Sequence, residues 1–250
     1  MKKTMLLVAV AFTIAGVLMA TGCTRVRLSD TQRGSGETSV DERTFELDGA
    51  DKLIASARMG VGELRLAAST SSSDTLSARF EYAPTSWKPQ VEFDSDGAEA
   101  TFSADQSEAS EMQLGDKVRN LWDLKLPSGV PTELSLKLGV GESNVDLRDI
   151  DIRDLLVTTG VGSTEIDLSG ARAEDIDARI ECGVGETVIR VPSDMGVRII
   201  GGKDGLGDLS TEGFRAEGDA LVNEAFDSAG PRMEIRLTRG VGEVSVEQAR

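Results

Sequence analysis

The tripeptide Gly-Val-Gly occurs five times in this chain and restricts the available folds more than any other feature. The two glycines of each copy are Gly60 and Gly62, Gly139 and Gly141, Gly160 and Gly162, Gly183 and Gly185, and Gly240 and Gly242. Four copies are followed by Glu and one by Ser163, and Gly205-Leu206-Gly207-Asp208 is a looser sixth copy. Self-similarity at a short period is typical of repeat architectures, so we expect an array of stacked units.

Apolar residues alternate with polar ones on both sides of each copy, but the parity of the alternation changes at the motif. In the second copy, Leu136 and Leu138 precede Gly139 at odd offsets, whereas Val145 and Leu147 follow it at even offsets. Strict alternation predicts half-buried β-strands. Glycine is the natural residue at a parity switch, because it reaches positive φ at little cost and marks bulges and bends. We therefore predict that each motif is a corner between two short strands, with its valine still in the core.

The spacing of the corners predicts a β-solenoid. From Gly139 to Gly160, then Gly183, then Gly205, the copies lie 21, 23 and 22 residues apart, which suits coils of short parallel strands that stack in chain order. The interval before Gly139 is too long for one coil and holds alternating runs with aromatic residues. We expect an all-β fold in which residues 132–250 form the solenoid and residues 44–131 form a small antiparallel β cap at one end.

The N-terminus reads as an export signal over residues 1–22. Two lysines precede an uncharged apolar run that is too short for a comfortable membrane span. Ala20-Thr21-Gly22-Cys23 resembles the lipobox of bacterial lipoproteins, so Cys23 is predicted to carry lipid and to anchor the protein in a bilayer. The alternative is an ordinary secretory signal with an incidental Cys. Residues 23–43 are predicted to be the lipid anchor and a flexible tether.

Composition excludes several classes of function. The chain has no His, which removes catalytic triads and zinc sites built on His. Its formal net charge of −16 disfavours nucleic acid as a partner. If Cys23 carries lipid, Cys182 has no disulfide partner in the chain. The sequence predicts no catalytic residue and no cofactor, and nothing marks the facing carboxylate pair that an enzyme acting on envelope polysaccharide would need.

The glutamates that follow the corners are the weakest of the candidate sites. Stacked coils would place Glu142 and Glu186 in a row of carboxylates, which could favour a hard cation such as Ca²⁺. The alternative is that each Glu caps backbone N–H groups of its glycine corner. Trp87, Trp122 and Tyr82 are interpreted as packing residues of the cap, rather than as an exposed sugar-binding platform.

The segment from Trp122 to Pro127, followed by Leu134-Ser135-Leu136-Lys137-Leu138-Gly139-Val140-Gly141-Glu142, resembles the toast-rack family of bacterial envelope proteins and its related adhesin-like domains. The resemblance covers about residues 50–250. It implies a stacked β-solenoid, an envelope location, and a role in adhesion or in envelope-stress signalling. We therefore expect a non-enzymatic, lipid-anchored module that binds an envelope protein or polymer. The alternative is a regulatory module that contacts a membrane signalling protein.

Overall fold

The structure is a computed structural model that describes residues 27–31, 38–70, 74–106, 118–228 and 230–249. Cys23, the predicted signal peptide and most of the segment between them and β2 lie outside the described residues. In the described ranges, no helix has the length and apolar character that a membrane crossing requires.

The predicted all-β fold is confirmed, since regular structure in the described ranges is strand apart from two short 3-10 helices, Thr85–Trp87 and Glu224–Asp227. The strands are β1 (Arg27–Thr31), β2 (Ser39–Glu46), β3 (Lys52–Ala68), β4 (Thr75–Ala83), β5 (Gln90–Ser95), β6 (Glu99–Asp105), β7 (Arg119–Leu126), β8 (Thr132–Asp146), β9 (Ile152–Asp167), β10 (Ile176–Pro192), β11 (Gly196–Gly201), β12 (Leu209–Ser210), β13 (Phe214–Glu217), β14 (Ala220–Asn223) and β15 (Arg232–Ala249). Backbone hydrogen bonds join them into one mixed sheet.

Five long strands, β3, β8, β9, β10 and β15, lie parallel and each carries one Gly-Val-Gly motif. The motifs are in register, because the valine of each copy pairs with the valine of the next along the whole array. The repeat therefore stacks in phase, as a solenoid requires.

Chain length shows that each long strand folds back on itself at its motif. A straight strand of the 15 residues of β8 would span roughly 50 Å. However, β9 begins at Ile152, six residues after Asp146 ends β8, and Ile152 lies beside Thr132 at the start of β8. A connection of six residues reaches at most about 20 Å, so the two halves of β8 must bend towards each other. The chain therefore bends at the motif, and the two halves on either side of the bend are hydrogen-bonded as one continuous strand rather than as two short ones.

The core lies between the two halves of the coils. In β8, Leu136 and Leu138 are buried before the motif, and Ser143 and Val145 are buried after it, as is Leu147 just beyond the end of the strand. The parity switch read from the sequence therefore exists, and it keeps both apolar rows on the inside of the bend.

The order of the coils differs from the order predicted from spacing. The loose copy at Gly205 was expected to stack on the coil of Gly183, but β10 pairs with β15, the last strand in the sequence. β15 in turn pairs with β11 through its first half and with β12 through its second half, and Leu206 bridges to Val241. The C-terminal strand is thus inserted between the fourth coil and the loose copy, and chain order is lost at this end.

The N-terminal end has the same arrangement. β3 pairs in parallel with β6 along its first half and with β7 along its second half, so β6 and β7 together act as one further coil. β5 then adds to β6, and β4, β2 and β1 add in series to β7, all antiparallel.

Two predictions for this region need correction. β3 was assigned to the antiparallel cap at 44–131, but it belongs to the parallel array, because its first-copy motif pairs in register with that of β8. The flexible tether predicted for 23–43 is shorter than expected, because β1 and the start of β2 form an antiparallel pair within it.

A buried ion pair ties β2 to the segment before β5. Asp41 is 4% exposed and accepts hydrogen bonds from Arg43, with Oδ2 2.8 Å from Nη2, while Lys88 Nζ lies 3.6 Å from the same oxygen. Burial disfavours the charged carboxylate, but the hydrogen bond and charge of Arg43, joined by Lys88, hold the pKa of Asp41 below its ordinary value. The carboxylate therefore stabilises the folded state at neutral pH.

The inserted position of β15 can be tested by crosslinking. In a protein with Cys23→Ser and Cys182→Ser, the pair Val184→Cys and Val241→Cys should form a disulfide on oxidation, since in-register neighbours lie about 4.8 Å apart. The pair Val184→Cys and Leu206→Cys should not, because β15 lies between them. Non-reducing electrophoresis and mass spectrometry report the bond. A disulfide in the second pair and none in the first would instead show that the coils stack in chain order.

The Asp41 ion pair predicts a pH-dependent loss of stability. Asp41→Asn should lower the free energy of unfolding at pH 7 by about 3 kcal/mol, because Arg43 is left half-buried without its partner. Because the folded pKa lies below the unfolded value of about 3.9, the difference should be full above pH 4 and should shrink as pH falls through the folded pKa. Urea unfolding across pH measures it, with Asp219→Asn at an exposed position as control. A difference that does not shrink at all as pH is lowered below about 3.9 contradicts the assignment.

Candidate binding surface at the glycine corners

From the second copy onward, the glycine corners stack so closely that no other residue fits. A Cβ on Gly139 would lie less than 3.0 Å from the carbonyl oxygen of Gly60, and a Cβ on Gly141 would lie as close to that of Gly62. The same contact recurs at every later copy. The second glycine of each motif also has positive φ, from 133° to 145° across the five copies, a conformation that L side chains rarely adopt. The corner therefore depends on both glycines, for space at the first and for space and backbone conformation at the second.

The valines of the motifs form an exposed row, here called the valine ladder, which continues to the loose copy. Its members are Val61, Val140, Val161, Val184, Val241 and Leu206. The prediction that the valine fills the core is wrong, because Val140, Val161, Val184 and Val241 are each nearly half exposed. The motif residues lie between the last buried position before the bend and the first buried position after it. They pass around the outside of the bend, where no core lies behind them. Only Val61, at the N-terminal end, is packed partly against the core.

The glutamates of the corners lie next to the ladder but are not brought together as a metal site. Glu142 pairs with Glu63 on one side and with Ser163 on the other, and Glu186 lies beyond Ser163. The backbones of Glu142 and Glu186 are therefore about 10 Å apart, and Glu63 is paired with Arg65, with Oε1 2.5 Å from Nη2. Across the described ranges, no group of three or more His, Cys, Asp or Glu residues is placed to hold a metal ion.

An amide network closes the corner of β3 at the N-terminal end of the array. Gln106 Oε1 accepts hydrogen bonds from the backbone N–H of Gly60, at 3.3 Å, and from Asn120 Nδ2, at 2.8 Å. Asn120 Nδ2 also donates to the carbonyl of Val61, and Trp122 Nε1 donates to Asn120 Oδ1 at 3.0 Å. Two side chains thus satisfy backbone groups of a corner that lies in the gap between the end of β6 and the start of β7. Sequence reasoning did not identify Gln106 or Asn120, since neither belongs to a repeat.

The aromatic residues and the cysteine that were considered from the sequence lie in the core or against it. Trp87, Trp122 and Tyr82 are buried, as the packing interpretation predicts. Cys182 is half-buried against the core, and burial raises the pKa of its thiol despite opposing contributions from Thr187 and Arg239. A thiol of raised pKa is largely protonated at neutral pH, so Cys182 does not have the character of a nucleophile.

Comparison with known proteins agrees with the repeat pattern. The profile of a family described as the N-terminal domain of toast_rack, DUF2154, matches residues 34–190. No curated protein matches this chain. The crystal structure of a putative cell adhesion protein from Clostridium sporogenes has 28% sequence identity and a TM-score of 0.74, and the match covers 85% of this chain and 100% of that one. A putative adhesin from Bacteroides fragilis has 13% identity and a TM-score of 0.33, over 85% and 98% of the two chains.

These findings confirm the resemblance stated from the sequence. The profile spans β2 to β9 and nearly all of β10, so it includes four of the five in-register motifs. The Clostridium sporogenes structure shares the fold over its whole length.

The first glycine of the motif offers a matched pair of substitutions. Gly139→Ala places a Cβ against the carbonyl of Gly60, whereas a Cβ on Gly60 meets nothing closer than the carbonyl of Gln106 at 3.8 Å. Neither glycine has positive φ. We expect Gly139→Ala to lower the free energy of unfolding by about 3 kcal/mol or more, and Gly60→Ala to change it by less than about 1 kcal/mol. Chemical denaturation measures both. Equal losses for the two would contradict the stacking contact.

Proposed function

This chain belongs to the toast-rack family, and from that premise we propose that it is a non-enzymatic binding module of the bacterial envelope with an adhesive role. The observation that carries the proposal is the valine ladder. In the described ranges, seven large apolar side chains are exposed, and five of them belong to this one row. Concentrated apolar exposure on a soluble surface is characteristic of interaction sites, whereas scattered single residues are not.

The ladder has the dimensions of a linear contact. Six residues at the strand spacing of about 4.8 Å form a row roughly 24 Å long. Burial of the exposed half of one valine contributes on the order of 1 kcal/mol, so several rungs must be covered together to give a specific contact. Many copies on one cell would then strengthen a modest single contact by avidity, as adhesion requires. The Clostridium sporogenes relative, described as a putative cell adhesion protein, supports the same role.

Membrane attachment through lipid on Cys23 is part of the proposal. β1 begins at Arg27, four residues after Cys23, and four residues span at most about 14 Å. An acylated Cys23 would therefore hold the folded array close to the bilayer rather than at the end of a long tether.

That short distance also favours the second candidate function. A module held so close to the bilayer is within reach of the extracytoplasmic part of a membrane protein. The alternative is therefore a regulatory module that contacts a membrane signalling protein in the response to envelope stress, with the same ladder as the contact surface.

The two functions can be separated by crosslinking in cells. A photoreactive residue in place of Val161 should capture the partner, and one in place of Leu156, which is exposed on the first half of the same strand, should not. Capture of wall or glycan polymer supports adhesion. Capture of one defined membrane protein, lost in Cys23→Ala, supports the regulatory alternative. Equal capture at both positions would show that the ladder is not the contact surface.

Loss of the apolar rungs gives the quantitative test. The triple variant Val140→Ser, Val161→Ser and Val184→Ser should weaken binding to the captured partner at least about tenfold, given about 1 kcal/mol for each rung. Leu156→Ser is the control, as an exposed apolar residue away from the ladder. Thermal unfolding of both proteins confirms that the fold is retained. Parent-like binding by the triple variant would contradict the proposed surface.

A further inference from the structure

A groove opens beside the corners of β3, β8 and β9, on the side of the motif opposite the glutamates. Its volume is about 520 Å³, within the range of about 300–1,000 Å³ that is usual for small-molecule sites. Its apolar wall includes Met59, Val61, Trp87 and Leu138, and glycine backbone from three motifs completes it. The valine ladder and this groove share only Val61, so they are separate features of the corner.

The charge of the groove is opposite to that of the protein. Two charged side chains line it, and both are cations, Arg58 and Lys137, although the chain as a whole carries a formal net charge of −16. They are register neighbours on adjacent strands. Asp105 partly balances Arg58, with Oδ2 3.7 Å from Nε. Lys137 forms no ion pair with any residue in the described part of the chain, so its charge is available to an occupant.

The wall of the groove also has an unsatisfied donor. Trp87 is 3% exposed, and its indole Nε1 is buried without a hydrogen-bond partner. Native structures seldom leave a buried donor unpaired without a reason such as a missing ligand or water. Because this nitrogen lies behind the surface of the wall, it does not by itself select the occupant of the groove.

From the apolar lining and the two neighbouring cations of the groove, we propose that it binds a small anionic amphiphile, with its apolar part against Met59, Leu138 and Trp87 and its anionic group at Lys137 and Arg58. A cationic amphiphile of equal length would meet two like charges, and a neutral one would leave Lys137 without a counter-charge. The inference goes beyond the adhesive role and does not depend on it, because it concerns a different surface of the corner.

The probe that tests the proposal is decanoate below its micellar concentration, titrated by calorimetry into the mature chain with Cys23→Ser. We expect saturable binding at one site and none of decyltrimethylammonium. Lys137→Glu should weaken decanoate binding by about tenfold or more, because it replaces an attraction by a repulsion at close range. Lys137→Arg should retain binding. Lys203→Glu, which makes the same charge change at an exposed position near the other end of the array, should leave it unchanged.

Three outcomes would overturn the proposal. Equal binding of the anionic and cationic amphiphiles would show that the two cations do not select the ligand. Equal effects of Lys137→Glu and Lys203→Glu would show that only net charge matters. Capture by phosphatidylglycerol vesicles without any binding of monomeric decanoate would assign the positive patch to a bilayer surface instead of a groove ligand. Matched thermal unfolding of all variants keeps each comparison within the folded state.

Discussion

Close contact between glycine backbones of neighbouring coils is the constraint on which the rest of this structure depends. A Cβ on any first glycine from Gly139 onward would meet the carbonyl oxygen of the preceding coil. A register slip of one residue would place a valine at that contact, so the glycines fix the register of the whole array as well as the bend. With the register fixed, every apolar row of one coil meets the same row of the next, and the core becomes continuous.

Fixed register also explains how a strongly acidic chain tolerates its charge. On the outer faces, carboxylates are placed beside guanidinium groups of neighbouring strands, as in Glu165 with Arg190 and Asp177 with Arg236. Each exposed ion pair by itself contributes little to the stability of the fold. Their common effect is to offset repulsion between like charges that stacking would otherwise bring together, as in the row that contains Glu142 and Glu63.

The repeat unit could be predicted from sequence because its determinants are local: alternation gives the strands, and the parity change with its glycines gives the corner. The position of the valine could not be predicted by extending parity, since a bend has an outside where alternation no longer distinguishes core from solvent. Coil order was missed for another reason. The copies at Gly205 and Gly240 resemble each other, and spacing along the chain cannot show that β15 pairs on both sides. Gln106, Asn120 and the groove at Trp87 are assembled from segments far apart in sequence, so no local pattern marks them.

The geometry of the array favours binding over catalysis. Catalysis needs several different groups that converge on one reacting atom, whereas the outer side chains of stacked strands project side by side and repeat along the stack. Such a surface presents the same group at intervals of about 4.8 Å, which suits contact along a line, as in the valine ladder. Convergence occurs where the repeat is interrupted. At the N-terminal end, Trp87 and Gln106 come from outside the repeats and line one groove together with the first three corners. That end of the array is therefore where a compact ligand can be enclosed, while the repeats between the ends provide an extended surface.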